Sequence, residues 1–172
     1  MTQLLRSLVQ IALLRKDPGV LPASMVLAGL LVVAYGVAIA IYLWVLYEND
    51  RIFSRTMVRL GIVLVPIWLL LISMRRAYRF PQAISAVLGI LVLMTPILTI
   101  LVLLMQGQVT ANPAVLLFAR GLYYAVTVWF LVIVGHILKS ALDAGLITCV
   151  AIAVVWWIAG DFLSRKLFLA VA

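Results

Sequence analysis

The sequence predicts an all-α fold: a polytopic membrane helical bundle of about five transmembrane helices, preceded by an amphipathic interfacial helix. Three observations predict it. First, 67% of the 172 residues are hydrophobic and only 10% are charged, whereas a soluble domain carries about 25% charged residues. A chain of this size has no core large enough to hide that apolar surface, so lipid must solvate the excess. Second, the apolar runs are continuous and long. A helix rising about 1.5 Å per residue needs about 20 of them to cross a hydrocarbon core about 30 Å thick, and a transmembrane barrel would show short alternating segments instead. Third, the basic residues fall in small clusters between the apolar runs. The net charge of +8 therefore reads as contact with anionic headgroups and control of topology, not as nucleic-acid binding.

Residues 1–17 form the first unit. Gln3, Arg6, Ser7 and Gln10 recur at helical spacing opposite Leu4, Leu5, Leu8, Ile11 and Ala12, the pattern of an amphipathic helix lying in the membrane interface. A signal peptide fits less well, because Gln10 interrupts the apolar core and no small-residue cleavage site follows. Asp17-Pro18-Gly19 stops the helix. The transmembrane domain is then residues 23–172, with spans at about 23–47, 57–74, 83–105, 113–141 and 146–162.

Ser24 is placed to cap the first span, and Tyr42, Trp44 and Tyr47 form an aromatic belt near its end. After Glu48-Asn49-Asp50 come Arg51, Arg55 and Arg59, whose spacing of four puts three guanidinium groups on one side of a helix. They read as a headgroup-facing stripe or, more sharply, as a site for an anionic ligand or partner. Pro66 in the second span and Pro96 in the third predict kinks. Arg75, Arg76 and Arg79 form the densest basic cluster, expected in a cytoplasmic loop beside anionic lipid. The fourth span carries Arg120, Tyr123, Tyr124 and the single histidine, His136. A tight turn at 143–145 leads to the fifth span, whose far boundary is marked by Trp156, Trp157 and Asp161 before Arg165-Lys166 and an apolar tail. Gly29, Gly36 and Gly135 suggest close helix packing.

Five spans put the termini on opposite sides. With the N-terminus cytoplasmic, the inner segments hold Arg6, Arg15, Lys16, Arg75, Arg76, Arg79 and Lys139, and the outer ones hold Arg51, Arg55, Arg59, Arg165 and Lys166. That bias sets the orientation as N-in, C-out.

Chemistry has few places to sit. Arg120 lies inside a span, where a charge costs about 2.5–3.5 kcal/mol at the centre; it snorkels outward or meets an anionic lipid, substrate or partner carboxylate. Glu48, Asp50 and Asp161 fall on its side of the membrane. His136 is sixteen residues away, about 24 Å along a straight helix, so the two cannot share a site. It sits a turn from Lys139 and reads as an interfacial hydrogen-bonding residue. Cys149 stands alone in an apolar run and reads as a small buried residue. The chain holds no nucleotide-binding loop, no paired metal-ligand motif and no nucleophile–histidine–acid set, and no cofactor is expected.

From Thr127 onward, TVWFLVIVGHILKSALDAGLITCVAIAVVWW resembles the fourth-to-fifth-span region of Yip1-domain membrane proteins, including their bacterial inner-membrane members. The residues carrying the likeness are Trp129, His136, Ile137, Leu138, Lys139 and Gly145, over about a fifth of the chain. The turn differs, with Ser140 to Gly145 where a Gly-Gly-Lys-Gly type is often seen. The resemblance implies five spans, a cytoplasmic N-terminus and an integral protein of a bacterial inner membrane, and no activity.

The first functional expectation is a non-enzymatic subunit or scaffold of a larger membrane assembly. It would act through helix contacts with other membrane proteins or copies of itself, and through anionic lipid at Arg51, Arg55, Arg59, Arg75, Arg76, Arg79, Arg120, His136 and Lys139. The second is a small transporter or lipid-translocating component using Arg120. The third is a membrane enzyme or redox subunit in which His136 meets a metal or quinone.

Overall fold

The computed structural model describes residues 2–47, 51–106 and 112–170. Its helices are α1 (Thr2–Ala12), α2 (Met25–Tyr47), α3 (Ile52–Ser73), α4 (Phe80–Met105), α5 (Pro113–Leu142) and α6 (Leu146–Ala170), with single 3-10 turns at Pro18–Val20 and Ala77–Arg79. Five of them, α2 to α6, are long and apolar enough to cross a membrane. This is the architecture of an integral membrane protein. The boundaries shift in three places: α3 begins at Ile52, α4 at Phe80, and α6 continues through Arg165 and Lys166 to Ala170.

Local chemistry sets the ends. The Leu27 N–H donates to Ser24 Oγ at 3.3 Å, so Ser24 caps α2 as its sequence position indicates. Asn112, missed in the sequence, caps α5 by accepting from the Ala114 N–H at 3.0 Å, with Pro113 at the first helical position. Helices α1 and α3 end alike. Leu14 and Arg75 both take φ of 57°, and the next N–H reaches back five residues, Arg15 to Gln10 O at 2.8 Å and Arg76 to Leu71 O at 2.7 Å. That is the Schellman closure, built here without glycine.

The five long helices pack in a ring, in the cyclic order α2, α4, α5, α6, α3 and back to α2. α4 is the hub. Its residues 83–90 are all buried, as expected of a helix apolar on every side and surrounded by protein. The apolar stripe of α1 was expected to face lipid, yet Leu8 and Ile11 are 2% and 0% exposed. A Cβ on Gly89 would stand 2.5 Å from Leu8 Cδ2, so that glycine lets α1 lie directly on α4.

Two further seams need close approach. A Cβ on Gly135 would come within 2.9 Å of the Val150 Cα and N, fixing the α5–α6 spacing, and one on Gly160 would be 2.7 Å from Ile62 Cγ2 across α6 and α3. Gly29, expected to do the same, has nothing within 4 Å, and Gly36 makes only ordinary contact with Leu60 at 3.7 Å. Both prolines are accommodated without a break, since α3 is continuous through Pro66 and α4 through Pro96. In α3 the carbonyl of Ile62 would normally accept from residue 66, but proline has no N–H. The Trp156 indole Nε1–H of α6 takes that carbonyl instead, at 2.7 Å.

Candidate functional site

The ring encloses a cavity of about 430 Å³ to which all five long helices contribute. On α4 its lining spans Leu91 to Met105 and on α6 Ala153 to Ser164, a depth of about 16–21 Å at 1.5 Å per residue. It occupies the half of the bundle toward the end of α2 and the start of α3. Its deep wall, near mid-bundle, carries Ile39, Leu91, Leu131, Val134 and Ala153 together with the phenol of Tyr35. Toward the bundle end Tyr42, Arg59, Tyr123, Asp161 and Ser164 face the apolar Leu98, Val102 and Met105 of α4. Beyond the deep wall Ile84, Val87, Leu88, Ile133, Ile137 and Leu138 are fully or almost fully buried, and past them a separate cavity of about 290 Å³ opens between Gly19, Arg79, Gln82 and Asp143.

Arg59 is the cation of this cavity. Its guanidinium carbon lies 5.6 Å from the centre of the Tyr42 ring, a cation–π distance. Its Nε is buried and, among the described residues, donates to no side chain or carbonyl. An orphan donor of this kind is uncommon, because desolvation goes uncompensated. Arg59 and Asp161 both act electrostatically on the Tyr123 phenol. Several hydroxyls on the wall are turned back on their own helices: Thr95 donates to Leu91 O at 2.7 Å, Thr127 to Tyr123 O at 2.8 Å, and Ser164 to Asp161 O at 2.9 Å.

The sequence-predicted residues do not converge here. Of the stripe Arg51, Arg55 and Arg59, only Arg59 lines the cavity; Arg51 is exposed ahead of α3 and Arg55 is half-buried outside the lining. Arg120 is exposed on α5 and also lies outside it. Of its suggested partners, Glu48 and Asp50 fall outside the described residues, and Asp161 lines the cavity with Arg59. The tyrosine pair divides. Tyr123 faces in and Tyr124 is exposed, their rings 5.8 Å apart and edge-on at 77°.

At the opposite end two members of the basic cluster are engaged with protein. Arg76 and Arg79 both pair with Asp143, the latter at 3.2 Å. Arg79 also donates to the Ser140 and Ala141 carbonyls at 2.8 and 3.3 Å. These cations cap the C-terminus of α5, whose carbonyls lack intrahelical donors. Hydrogen bonds from Arg79 and then Arg76 hold the Asp143 carboxyl below its ordinary range. Arg75 and Lys139 are exposed. His136 Nε2 lies 3.4 Å from the Lys16 carbonyl oxygen and 3.7 Å from Asp17 Oδ1. With Gln82, which donates to Gly19 O and Leu21 O at 2.9 and 2.7 Å, it ties the segment after α1 to the bundle. Among the described residues no group of three histidine, cysteine or carboxylate side chains gathers to hold a metal ion.

Tyr35, Tyr42 and Trp156 are the cavity residues that sequence reasoning passed over or assigned to an interface. The available signal was a polar tip within an otherwise aliphatic span, which in lipid must face protein or a cavity. The chain matches no family model, no curated protein and no solved structure.

Proposed function

We propose that this integral membrane protein binds a membrane amphiphile inside its helical ring, polar end at the level of Arg59 and hydrocarbon chain toward mid-bundle. One observation carries the reading: both charged side chains of the cavity, Arg59 and Asp161, lie toward its outer end, and the buried Arg59 Nε has no acceptor among the described residues. Its size falls within the range of about 300–1,000 Å³ typical of small-ligand sites. Affinity would reside in the head. A hydrocarbon chain leaving lipid for an apolar wall gains no hydrophobic free energy, because both surroundings are equally dry. Between this cavity and the opposite end stands a layer of closely packed side chains, Ile84, Val87, Leu88 and Ile133 among them, which favours binding over conduction.

A photoreactive lysophospholipid carrying a diazirine midway along its chain tests this in proteoliposomes. Adducts are expected on Leu91, Val134 and Ala153. Labelling confined to outward side chains such as Val26, Trp68 and Ile147, all well exposed, overturns it. Service as a subunit of a larger assembly, the first expectation from the sequence, rests on the small extramembrane mass. Recovery of a stoichiometric partner in mild detergent is its test.

A further inference from the structure

The cavity is long and narrow. A volume of about 430 Å³ over a depth of about 16–21 Å gives a mean cross-section of about 20–27 Å². Apolar chains in contact lie about 4.0–4.5 Å apart, so each occupies about 16–20 Å². One chain fits and two, at about 32–40 Å², do not. The wall also holds one strong donor that is still unmatched. The hydroxyl protons of Thr95, Thr127 and Ser164 and the indole N–H of Trp156 are already given to carbonyls. Arg59 differs, because its buried Nε has no acceptor among the described residues. Resting on the amphiphile reading, we infer that the ligand is a single-chain acid, its carboxylate or phosphate oxygens set against the Arg59 guanidinium and its one hydrocarbon chain lying along the cavity.

The chemistry of the guanidinium selects this head. It keeps its charge at any pH a protein meets, and its planar fork of donors matches carboxylate and phosphate oxygens in pairs. An alcohol head offers an oxygen without a charge, and charge-assisted bonds are roughly twice as strong as neutral ones. The Tyr42 ring, 5.6 Å from the guanidinium carbon, holds Arg59 at the wall. Asp161, on the same lining, is exposed and already has an interaction of its own; the head is set against Arg59 and asks nothing of it. Arg120, although equally charged, is exposed outside the lining and takes no part.

The test uses the full chain in proteoliposomes and two diazirine probes matched in chain, a fatty acid and the corresponding fatty alcohol, at mildly alkaline pH so that the acid is ionised. The acid is expected to label Leu91, Val134 and Ala153 at least about fivefold more than the alcohol. Arg59→Gln should bring the acid down to the level of the alcohol, Arg59→Lys should keep a preference for the acid, and Arg120→Gln should change nothing. Unlabelled hexadecanoate or hexadecyl phosphate should displace the acid probe, the stronger of the two naming the oxyanion, and dihexadecyl phosphate, which has two chains, should not. Equal or stronger labelling by the alcohol, or a preference for the acid that survives in Arg59→Gln, overturns the acid and leaves the amphiphile reading standing. Displacement by dihexadecyl phosphate as strong as by hexadecyl phosphate overturns the single chain. Labelling of the cavity by neither probe overturns both readings. A circular-dichroism melt on each variant confirms that the ring is folded.

Discussion

Trp156→Phe isolates the bond that closes the ring between α3 and α6. The substitution keeps an aromatic ring at the seam and removes its one polar donor, leaving the Ile62 carbonyl, already deprived of a partner by Pro66, without any. A buried orphan of this kind costs about 1–3 kcal/mol in water-soluble proteins. In bilayers the measured worth of such bonds averages about 0.6 kcal/mol and reaches about 1.7. The bilayer range governs here, because the separated helices also lie in lipid and find partners there, and its upper part applies because Pro66 leaves this carbonyl without its own helix's donor. The expected loss is therefore about 1 kcal/mol, roughly a fivefold change in the folded-to-unfolded ratio, plus whatever packing the smaller ring forfeits. Pro66→Ala restores the missing N–H and makes the indole donor redundant. Trp156→Phe should then cost about 1 kcal/mol less in the Pro66→Ala background than in the parent. Reversible unfolding in mixed micelles, followed by circular dichroism, measures all four corners of the cycle. An equal cost in both backgrounds would refute the proposition that Trp156 answers the proline.

Gly135→Ala should destabilise the fold by about 1–3 kcal/mol, because its Cβ would meet the Val150 backbone at 2.9 Å; Gly29→Ala, in open space, should be neutral or slightly stabilising in the same melt. Arg75→Gly should raise stability by about 0.5–1 kcal/mol, since φ of 57° burdens a residue with a Cβ more than it burdens glycine. Asp143 makes the clasp at the α5 C-terminus pH-dependent. Its folded carboxyl is held below the ordinary range by Arg79 and Arg76, so its stabilisation is complete above the unfolded value near 3.8 and disappears as pH falls through the lower folded one. Melts of parent and Asp143→Asn should differ by a constant amount above about pH 5, draw together as pH falls below 3.8 and meet only below the lower folded value; a gap that persists in stronger acid would show that charge is not what Asp143 contributes.

Much of the helix pattern was legible in the sequence, because helix length and lipid solvation are local properties of a run of residues. Ser24, Pro113 and the 143–145 turn announced their ends in the same way, through side-chain chemistry that acts within one turn. The proline, by contrast, was only half legible. Pro66 predicts an orphan carbonyl in any setting, but its partner Trp156 sits ninety residues on and looked from the sequence like an interfacial tryptophan. Arg59 was read as one member of a stripe, although a helix turned against a tyrosine on α2 separates it from Arg51 and Arg55.

By itself the sequence determined the solvent of this protein and the number of its long helices, since a run of apolar residues carries its transfer free energy wherever it lies in the fold. Only the tertiary structure decided which faces meet. In lipid an outward face and an inward face are equally apolar, so hydropathy leaves the rotation of each helix open. Close approach at Gly89, Gly135 and Gly160 and the bond from Trp156 fix it, and they leave Arg59 and Asp161 around one cavity and Arg120 outside.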